Sequence, residues 1–199
     1  MKKIFLFVAL FFVTGVVFSQ SFMNGVGITV LGSSTGGNFA YGGGLTYSPR
    51  VNFIETEKLS VSAGIPLSVA ISVSTSTTYD PLYGYDYDNV AVGVVINAPL
   101  IVSLNMGRGS TKDNTQKLGY FVGAGFGYHH GDFLVDETDA LGYNYVGSRS
   151  LNTFGPAGNA GVRFGVGRKH RNIELRFSYM KGLNDTRPNV FAVAGLFNF

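Results

Sequence analysis

The sequence predicts an all-β protein: a closed, antiparallel, eight-stranded transmembrane β-barrel preceded by a cleavable signal peptide. Three observations support this fold: an apolar N-terminal segment, long stretches of alternating apolar and small residues, and few charged residues. Hydrophobic residues make up 45% of the 199 residues, but charged residues only 14%, against about 25% in a typical soluble domain. A charged, water-facing surface therefore cannot cover the whole molecule, and lipid is a candidate for the surroundings of the rest.

The first residues have the organisation of an export signal. Lys2 and Lys3 precede an apolar run over residues 4–18, which is shorter than the ~20 residues of a membrane-spanning helix and suits a signal-peptide core. We expect cleavage after Ser19, so that residues 1–19 form the signal peptide and residues 20–199 the barrel domain. The alternative, a retained N-terminal anchor, is disfavoured by the polar, glycine-rich sequence that follows.

Alternation of period two dominates the mature sequence. From Leu59 to Val73 every odd-numbered residue is apolar, whereas the even-numbered ones are mostly serine, as expected of a strand. This stretch exceeds the ~9–11 residues that a tilted strand needs to cross a bilayer. Seven further stretches repeat the pattern, which predicts eight strands in all; they lie near 26–30, 39–47, 90–105, 120–128, 159–166, 173–179 and 191–199.

An even number of strands places both termini on the same side of the membrane. With a periplasmic N-terminus, the connections fall into an external and a periplasmic set. The external ones are expected near 32–37, 74–89, 130–150 and 183–189, and the periplasmic ones near 49–58, 106–117 and 167–172. The two longest connections are then external, which is typical of bacterial outer-membrane barrels.

The two faces of the predicted strands favour a barrel over a soluble sandwich. Glycine, alanine and serine on one face suit a narrow interior, and the bulky apolar residues opposite suit lipid. An open sheet in hydrocarbon would leave edge N–H and C=O groups unpaired. Aromatic residues near strand ends are expected to form the two interfacial girdles: Phe39, Tyr47, Tyr120, Tyr128, Tyr179, Phe197 and Phe199.

Three segments carry a resemblance to a known family. They are the C-terminal strand ending on an aromatic residue, 190–199, and the segments 47–52 and 98–105. The chain resembles the small outer-membrane β-barrel proteins of Bacteroidetes-type Gram-negative bacteria and is similar in plan to OmpA-like and OmpX-like barrels. The resemblance implies a monomer in contact with outer-membrane lipids and lipopolysaccharide, and it implies that the barrel-assembly machinery reads Phe199. The peptidoglycan-binding domain of full-length OmpA-type proteins has no counterpart, so we expect no wall-anchoring role.

Charged residues on the predicted inner face form the first candidate site. Arg163, Glu174 and Arg176 lie on neighbouring strands, and buried charges need partners. We expect an internal ion-pair network that plugs the interior; the alternative is a gate that opens a narrow conduit when the pairs rearrange. Because eight strands enclose only enough space for side chains, a wide pore is not expected.

A second candidate site begins at His129 and His130. Acids follow at Asp132, Asp136, Glu137 and Asp139, and the facing segment contains Ser148 and Ser150. Such residues could bind a divalent metal or serve a lipid-modifying enzyme, but no spacing singles out a catalytic triad. We expect a solvated loop instead, with no enzyme activity, metal or cofactor.

The third candidate is a segment rich in tyrosine and aspartate, which suits surface contacts because tyrosine supplies rigid amphipathic contact area; the equally favoured alternative is an exposed loop with interfacial tyrosines. Its residues are Tyr79, Tyr83, Tyr85, Asp86, Tyr87 and Asp88. No basic stripe suggests a nucleic-acid partner. The resulting hypotheses are a non-enzymatic outer-membrane protein that acts through its external loops, a narrow porin-like channel for small solutes and, least favoured, a lipid-modifying enzyme.

Overall fold

The computed structural model describes residues 21–35, 38–80, 85–138, 144–167, 171–184 and 187–199, with backbone alone at 38, 76–80, 85–89, 132–138, 144–149 and 151. The predicted signal peptide lies outside these residues. Within them, eleven strands form one antiparallel sheet. They are β1 (Ser21–Met23), β2 (Gly25–Thr35), β3 (Asn38–Tyr47), β4 (Arg50–Glu55), β5 (Leu59–Gly64), β6 (Leu67–Asp80), β7 (Tyr85–Gly107), β8 (Leu118–Thr138), β9 (Asn144–Gly165), β10 (Asn172–Lys181) and β11 (Asn189–Asn198). No helix long and apolar enough to cross a membrane occurs in this part of the chain.

Three of the short strands continue longer ones. β5 and β6 pair with the same neighbour, β7, and the register runs unbroken from Gly64↔Ile101 to Ser68↔Asn97. The same continuity links β1 to β2 and β3 to β4. The eleven segments are therefore eight strands interrupted in places, which confirms the predicted number.

Pairing between β7 and β8 closes these eight strands into a barrel. We can follow the paired residues from strand to strand around the barrel, starting at Leu104 of β7. This path returns to β7 at Val94, ten residues away. The path runs through Val122, Ala160, Phe177, Val193, Val30, Gly43 and Ile71. Such a stagger accompanies strands tilted by about 35–45°. Closure leaves no free edge around the wall, as the sequence predicted.

The terminal residue completes this closure. The Phe199 N–H donates to the Asn24 carbonyl (2.9 Å), and the Asn24 N–H donates to the Phe199 carbonyl (3.3 Å). Both described ends of the chain thus lie at the same end of the barrel. We call this the periplasmic end and the opposite one the outer end.

The inward and outward faces follow the predicted alternation. The outward residues of the eight stretches are exposed or half-exposed, for example Ile28 at 69%, Leu45 at 71% and Ile71 at 65%. The predicted girdle residues all lie on this face. The interior, however, is not made of small residues alone. Large buried apolar side chains also occupy it, namely Met23, Leu31, Ile101, Phe121, Met180 and Leu196.

The predicted external connections at 74–89 and 130–150 were wrong in extent. β6 continues to Asp80 and β7 begins at Tyr85; likewise, β8 continues to Thr138 and β9 begins at Asn144. Most of both segments is therefore strand. Threonine, tyrosine and valine favour strands as readily as surface segments, and the ladder continues through them beyond the barrel wall.

Two periplasmic predictions also need correction. Most of 49–58 is strand β4, so the connection is reduced to 56–58. Pro49 lies just before β4 and misled the prediction, because proline usually marks a strand end or an interruption of the ladder. The connection 108–117 is the longest between described strands, so the expectation that the longest connections are external was wrong.

Candidate functional site

A buried carboxylate, Glu174, organises the interior near the periplasmic end. It lies on β10 and is completely buried. Arg163 of β9 donates from Nε to its Oε2 (2.7 Å), and Arg176 donates from Nε to its Oε1 (2.8 Å). The structure thus brings together the three residues singled out in the sequence, and both carboxylate oxygens accept hydrogen bonds from cations.

A third arginine joins this group. Arg50 of β4 places Nη1 3.8 Å from Glu174 Oε2 and donates from Nη2 to the Gly109 carbonyl (2.9 Å). Together, Arg50, Arg163, Glu174 and Arg176 form what we call the arginine–glutamate cluster. The cluster joins residues of three strands, β4, β9 and β10, around a single carboxylate.

Aromatic and amide groups complete the surroundings of the cluster. The Phe121 ring lies 4.3 Å from Arg163 Cζ, a distance at which a guanidinium is attracted by the ring face. Asn105 Oδ1 accepts from Arg163 Nη1 (2.9 Å), and Asn198 Nδ2 donates to Glu174 Oε2 (3.0 Å). The charged groups are therefore held by polar partners on several strands.

The periplasmic connection 108–117 folds into the barrel instead of away from it. Arg108, Ser110 and Asn114 are buried. The Gly109 carbonyl accepts from Arg50, and the Ser110 carbonyl accepts from Asn52 Nδ2 (2.8 Å). We call residues 108–117 the plug loop, because its backbone carbonyls cap the arginine side chains and close the periplasmic end.

Gly109 makes this close approach possible. Its φ is +73°, and an added Cβ would lie 3.0 Å from both Arg163 Cδ and Asn172 Nδ2. Gly167 has nearly the same φ, +70°, but nothing within 4 Å of that position. Substitutions at the two glycines can therefore distinguish the cost of the left-handed backbone conformation from the cost of displacing packed neighbours.

We expect Gly109→Ala to lower the free energy of unfolding more than Gly167→Ala. Both variants place alanine in the left-handed conformation, which costs about 1–2 kcal/mol. Only Gly109→Ala also displaces a carbonyl that accepts from a buried guanidinium, a bond typically worth about 1.5–3 kcal/mol. Urea unfolding of the two refolded variants measures the difference, and equal losses would contradict a packed plug loop.

Small cavities remain inside the barrel. Three of them have volumes of about 20 Å³ beside the cluster and about 10 Å³ at two places nearer the outer end. A single water molecule needs about 10–15 Å³. Each of these three cavities therefore has room for about one water molecule.

At the outer end, two hairpins project beyond the wall. The last pair joining β7 to β8 is Ile96↔His130, and the last pair joining β3 to β6 is Phe39↔Thr75. Beyond them we define the outer hairpins as residues 76–89 and 131–151, each paired only within itself in the described chain. The eight residues 131–138 extend along the strand by roughly 27 Å.

Comparisons with known proteins concern the fold. No family model and no curated protein sequence matches the chain. Among solved structures, Ail, the attachment invasion locus protein of Yersinia pestis, in complex with the heparin analogue sucrose octasulfate, superposes with a TM-score of 0.52. The match has 13% identity and covers 90% of this chain and 98% of Ail. The fold is that of a small outer-membrane β-barrel protein of the OmpA-like and OmpX-like type.

Two other outer-membrane barrels superpose less closely. Neisserial surface protein A has 13% identity and a TM-score of 0.44, with 90% of this chain and 97% of that one covered. Outer membrane protein OprG of Pseudomonas aeruginosa has 11% identity and a TM-score of 0.45, with 90% and 95% covered.

In this outer-membrane barrel fold, the two histidines do not form a common site. His129 is buried in the interior, whereas His130 is half-exposed on the outer wall with Nδ1 2.8 Å from Asn152 Oδ1. Successive residues of a strand point to opposite faces, so the pair cannot act together. Ser150 pairs with Asp132, farther out along the second outer hairpin. Among described residues, no group of three or more His, Cys, Asp or Glu could hold a metal.

The predicted tyrosine and aspartate contacts lie on the first outer hairpin. Cross-strand pairs join Tyr79 to Asp86, Asp80 to Tyr85, and Thr78 to Tyr87. Asp88 pairs with Thr77. Tyr83 lies outside the described residues. Their role in binding remains a prediction.

Sequence reasoning missed Arg50 and the plug loop. Arg50 was assigned to a connection, although the alternation that places Tyr47 outward also places Ser48, Arg50 and Asn52 inward. Extending that alternation through Pro49 would have found it. The plug loop has no periodic pattern, and its inward fold could not be read from the sequence.

Proposed function

We propose that the chain is a non-enzymatic integral outer-membrane protein that acts through its outer hairpins in a structural or surface-interaction role. The observation that carries this proposal is the contrast between the two ends of the barrel. Its periplasmic half is filled by the arginine–glutamate cluster and the plug loop, whereas two hairpins project from the outer end. Contacts with other macromolecules are therefore assigned to the hairpins and not to the lumen.

The charge of the outer hairpins favours one kind of contact. Residues 76–89 contain three aspartates and no lysine or arginine. Residues 131–151 contain four acids and one arginine, Arg149. Acids at a membrane surface can bind lipopolysaccharide phosphates through divalent cations, but they repel polyanions. A polysulfated ligand like that of Ail is thus not proposed for this chain; cation-bridged lipopolysaccharide is.

Truncated hairpins test this function. Replacing residues 79–86 with Asn-Gly joins the cross-strand partners Thr78 and Tyr87, and replacing 133–149 with Asn-Gly joins Asp132 and Ser150. Asn-Gly forms the two-residue turn that such partners require. Both variants should retain the barrel but bind lipopolysaccharide less tightly in the presence of Mg²⁺. Binding of purified lipopolysaccharide to nanodiscs, with and without EDTA, measures this.

Two outcomes would contradict the proposal. Unchanged, EDTA-insensitive lipopolysaccharide binding by the truncated barrels would remove the hairpins as the contact surface. Stable conductance of the purified full chain in planar bilayers would favour the porin-like alternative. A barrel that resists SDS until heated, seen as a gel shift, is the control that each variant has folded.

The C-terminal residue is expected to matter for assembly. Phe199 pairs with Asn24 through the backbone, and its ring stacks on Phe197 at 6.4 Å between centroids. Deleting Phe199 should reduce the amount of heat-modifiable barrel in the outer-membrane fraction, because it removes the final closing pair and the residue that the assembly machinery is expected to read. Refolding of the same variant in detergent is the control: normal refolding with poor membrane assembly supports a signal, and normal membrane levels argue against it.

A further inference from the structure

The buried charges of the periplasmic half do not balance. Three arginines of the arginine–glutamate cluster are buried, Arg50, Arg163 and Arg176, but the cluster contains only one carboxylate, Glu174. Guanidinium groups stay protonated in proteins, so the cluster carries a formal excess of two positive charges (three minus one). A buried charge is costly without a partner. Negative charge or strong acceptors must therefore come from elsewhere.

Backbone carbonyls satisfy part of this demand, but not all of it. Arg50 donates from Nη2 to the Gly109 carbonyl (2.9 Å). In contrast, Nε and Nη1 of Arg50 have no hydrogen-bond acceptor among the described residues, although the Arg50 side chain is only 8% exposed. Glu174 does not supply one, because its nearest oxygen, Oε2, lies 3.8 Å from Arg50 Nη1, which is too far for a hydrogen bond.

A cavity of about 20 Å³ lies beside these groups. Arg50, Arg163 and Arg176 line it, together with the hydroxyl-bearing Ser48 and Ser62. Every charged residue in its lining is cationic. The cavity also borders Asn159, whose Oδ1 has no donor; turning this amide over would present N–H donors instead.

We propose that this cavity binds one small monovalent anion of halide size, for which chloride is the ion commonly present. Its lining offers positive charge and donors but no carboxylate, and its volume is close to that of one water molecule. Sulfate and phosphate are too large for it. The anion acts as a buried counter-ion that partners Arg50 and stabilises the closed periplasmic half. This inference is independent of what the outer hairpins bind.

Chloride dependence of stability tests the site in solution. The full mature chain, refolded in a zwitterionic detergent with sodium gluconate, is titrated with sodium chloride at constant ionic strength, and the urea midpoint is followed. A ligand that binds only the folded state raises stability by mass action, so the midpoint should rise and saturate. Arg50→Gln should lose this rise, whereas Lys58→Gln, on the exposed turn 56–58, should keep it. A wild-type midpoint that does not respond to chloride would overturn the proposal.

Location is tested separately, without a variant that risks misfolding. Crystals of the wild-type barrel grown with sodium bromide should give an anomalous peak inside the cavity, within hydrogen-bonding distance of Arg50. Anomalous peaks confined to the protein surface would overturn the site even if chloride stabilised the protein. Equal chloride responses of wild type and Arg50→Gln would do the same, because the anion would then act elsewhere.

Discussion

Replacing Glu174 with glutamine is expected to lower the free energy of unfolding by about 3–5 kcal/mol, the usual cost of removing one partner of a buried ion pair. Glutamine preserves the size of the side chain and one acceptor oxygen. It removes the only buried carboxylate of the described interior, and it leaves Arg163 and Arg176 facing a neutral group. The urea midpoint of the refolded protein measures the loss.

A matched control separates this effect from the loss of any carboxylate. Glu57 lies on the exposed periplasmic turn 56–58, and surface charges contribute little, about 0–1 kcal/mol. Glu57→Gln should therefore leave the midpoint nearly unchanged. If Glu174→Gln were equally mild, the cluster would not stabilise the barrel, and the arginines would have to be partnered mainly by backbone carbonyls and the plug loop.

The arginine–glutamate cluster also illustrates what the sequence predicts well. Two residues apart on one strand, Glu174 and Arg176 must share a face, and strand order places Arg163 next to them. The observed cross-strand pair Arg163↔Glu174 follows from the same alternation. The alternation of faces along each strand and the order of adjacent strands were sufficient for this prediction, because both are local properties in a meander of antiparallel strands.

Features that depend on the third dimension were not accessible in this way. The plug loop contacts Arg50 across 59 positions of sequence, and nothing in residues 108–117 signals whether a connection turns inward or outward. The sequence also did not predict how far the strands of the outer hairpins continue. A strand continues beyond the membrane wherever a partner strand continues with it, and that depends on both segments together, as for Asp80 and Tyr85.

The outward face gives the second large expected effect. Ile28 of β2 is 69% exposed and pairs with Leu45 and Gly195. Leu45 lies between the outward aromatic residues Tyr41 and Tyr47, so Ile28 is expected inside the lipid-facing band, between its middle and the periplasmic girdle. We predict that Ile28→Arg lowers the free energy of unfolding in lipid bilayers by about 1–4 kcal/mol, because arginine on the lipid face of a barrel costs about 2–4 kcal/mol at the midplane and less toward the interfaces.

Val90 provides the matched comparison, because it is also an outward β-branched residue and is 63% exposed. It lies on β7, six residues beyond Ile96, where that strand leaves β8. If the barrel spans a membrane as proposed, Val90 is in water, and Val90→Arg should cost about 0–1 kcal/mol. Unfolding of both variants from phospholipid vesicles gives the difference. Equal costs would mean that Ile28 and Val90 share one environment, and the lipid-facing band would have to be placed elsewhere on the barrel.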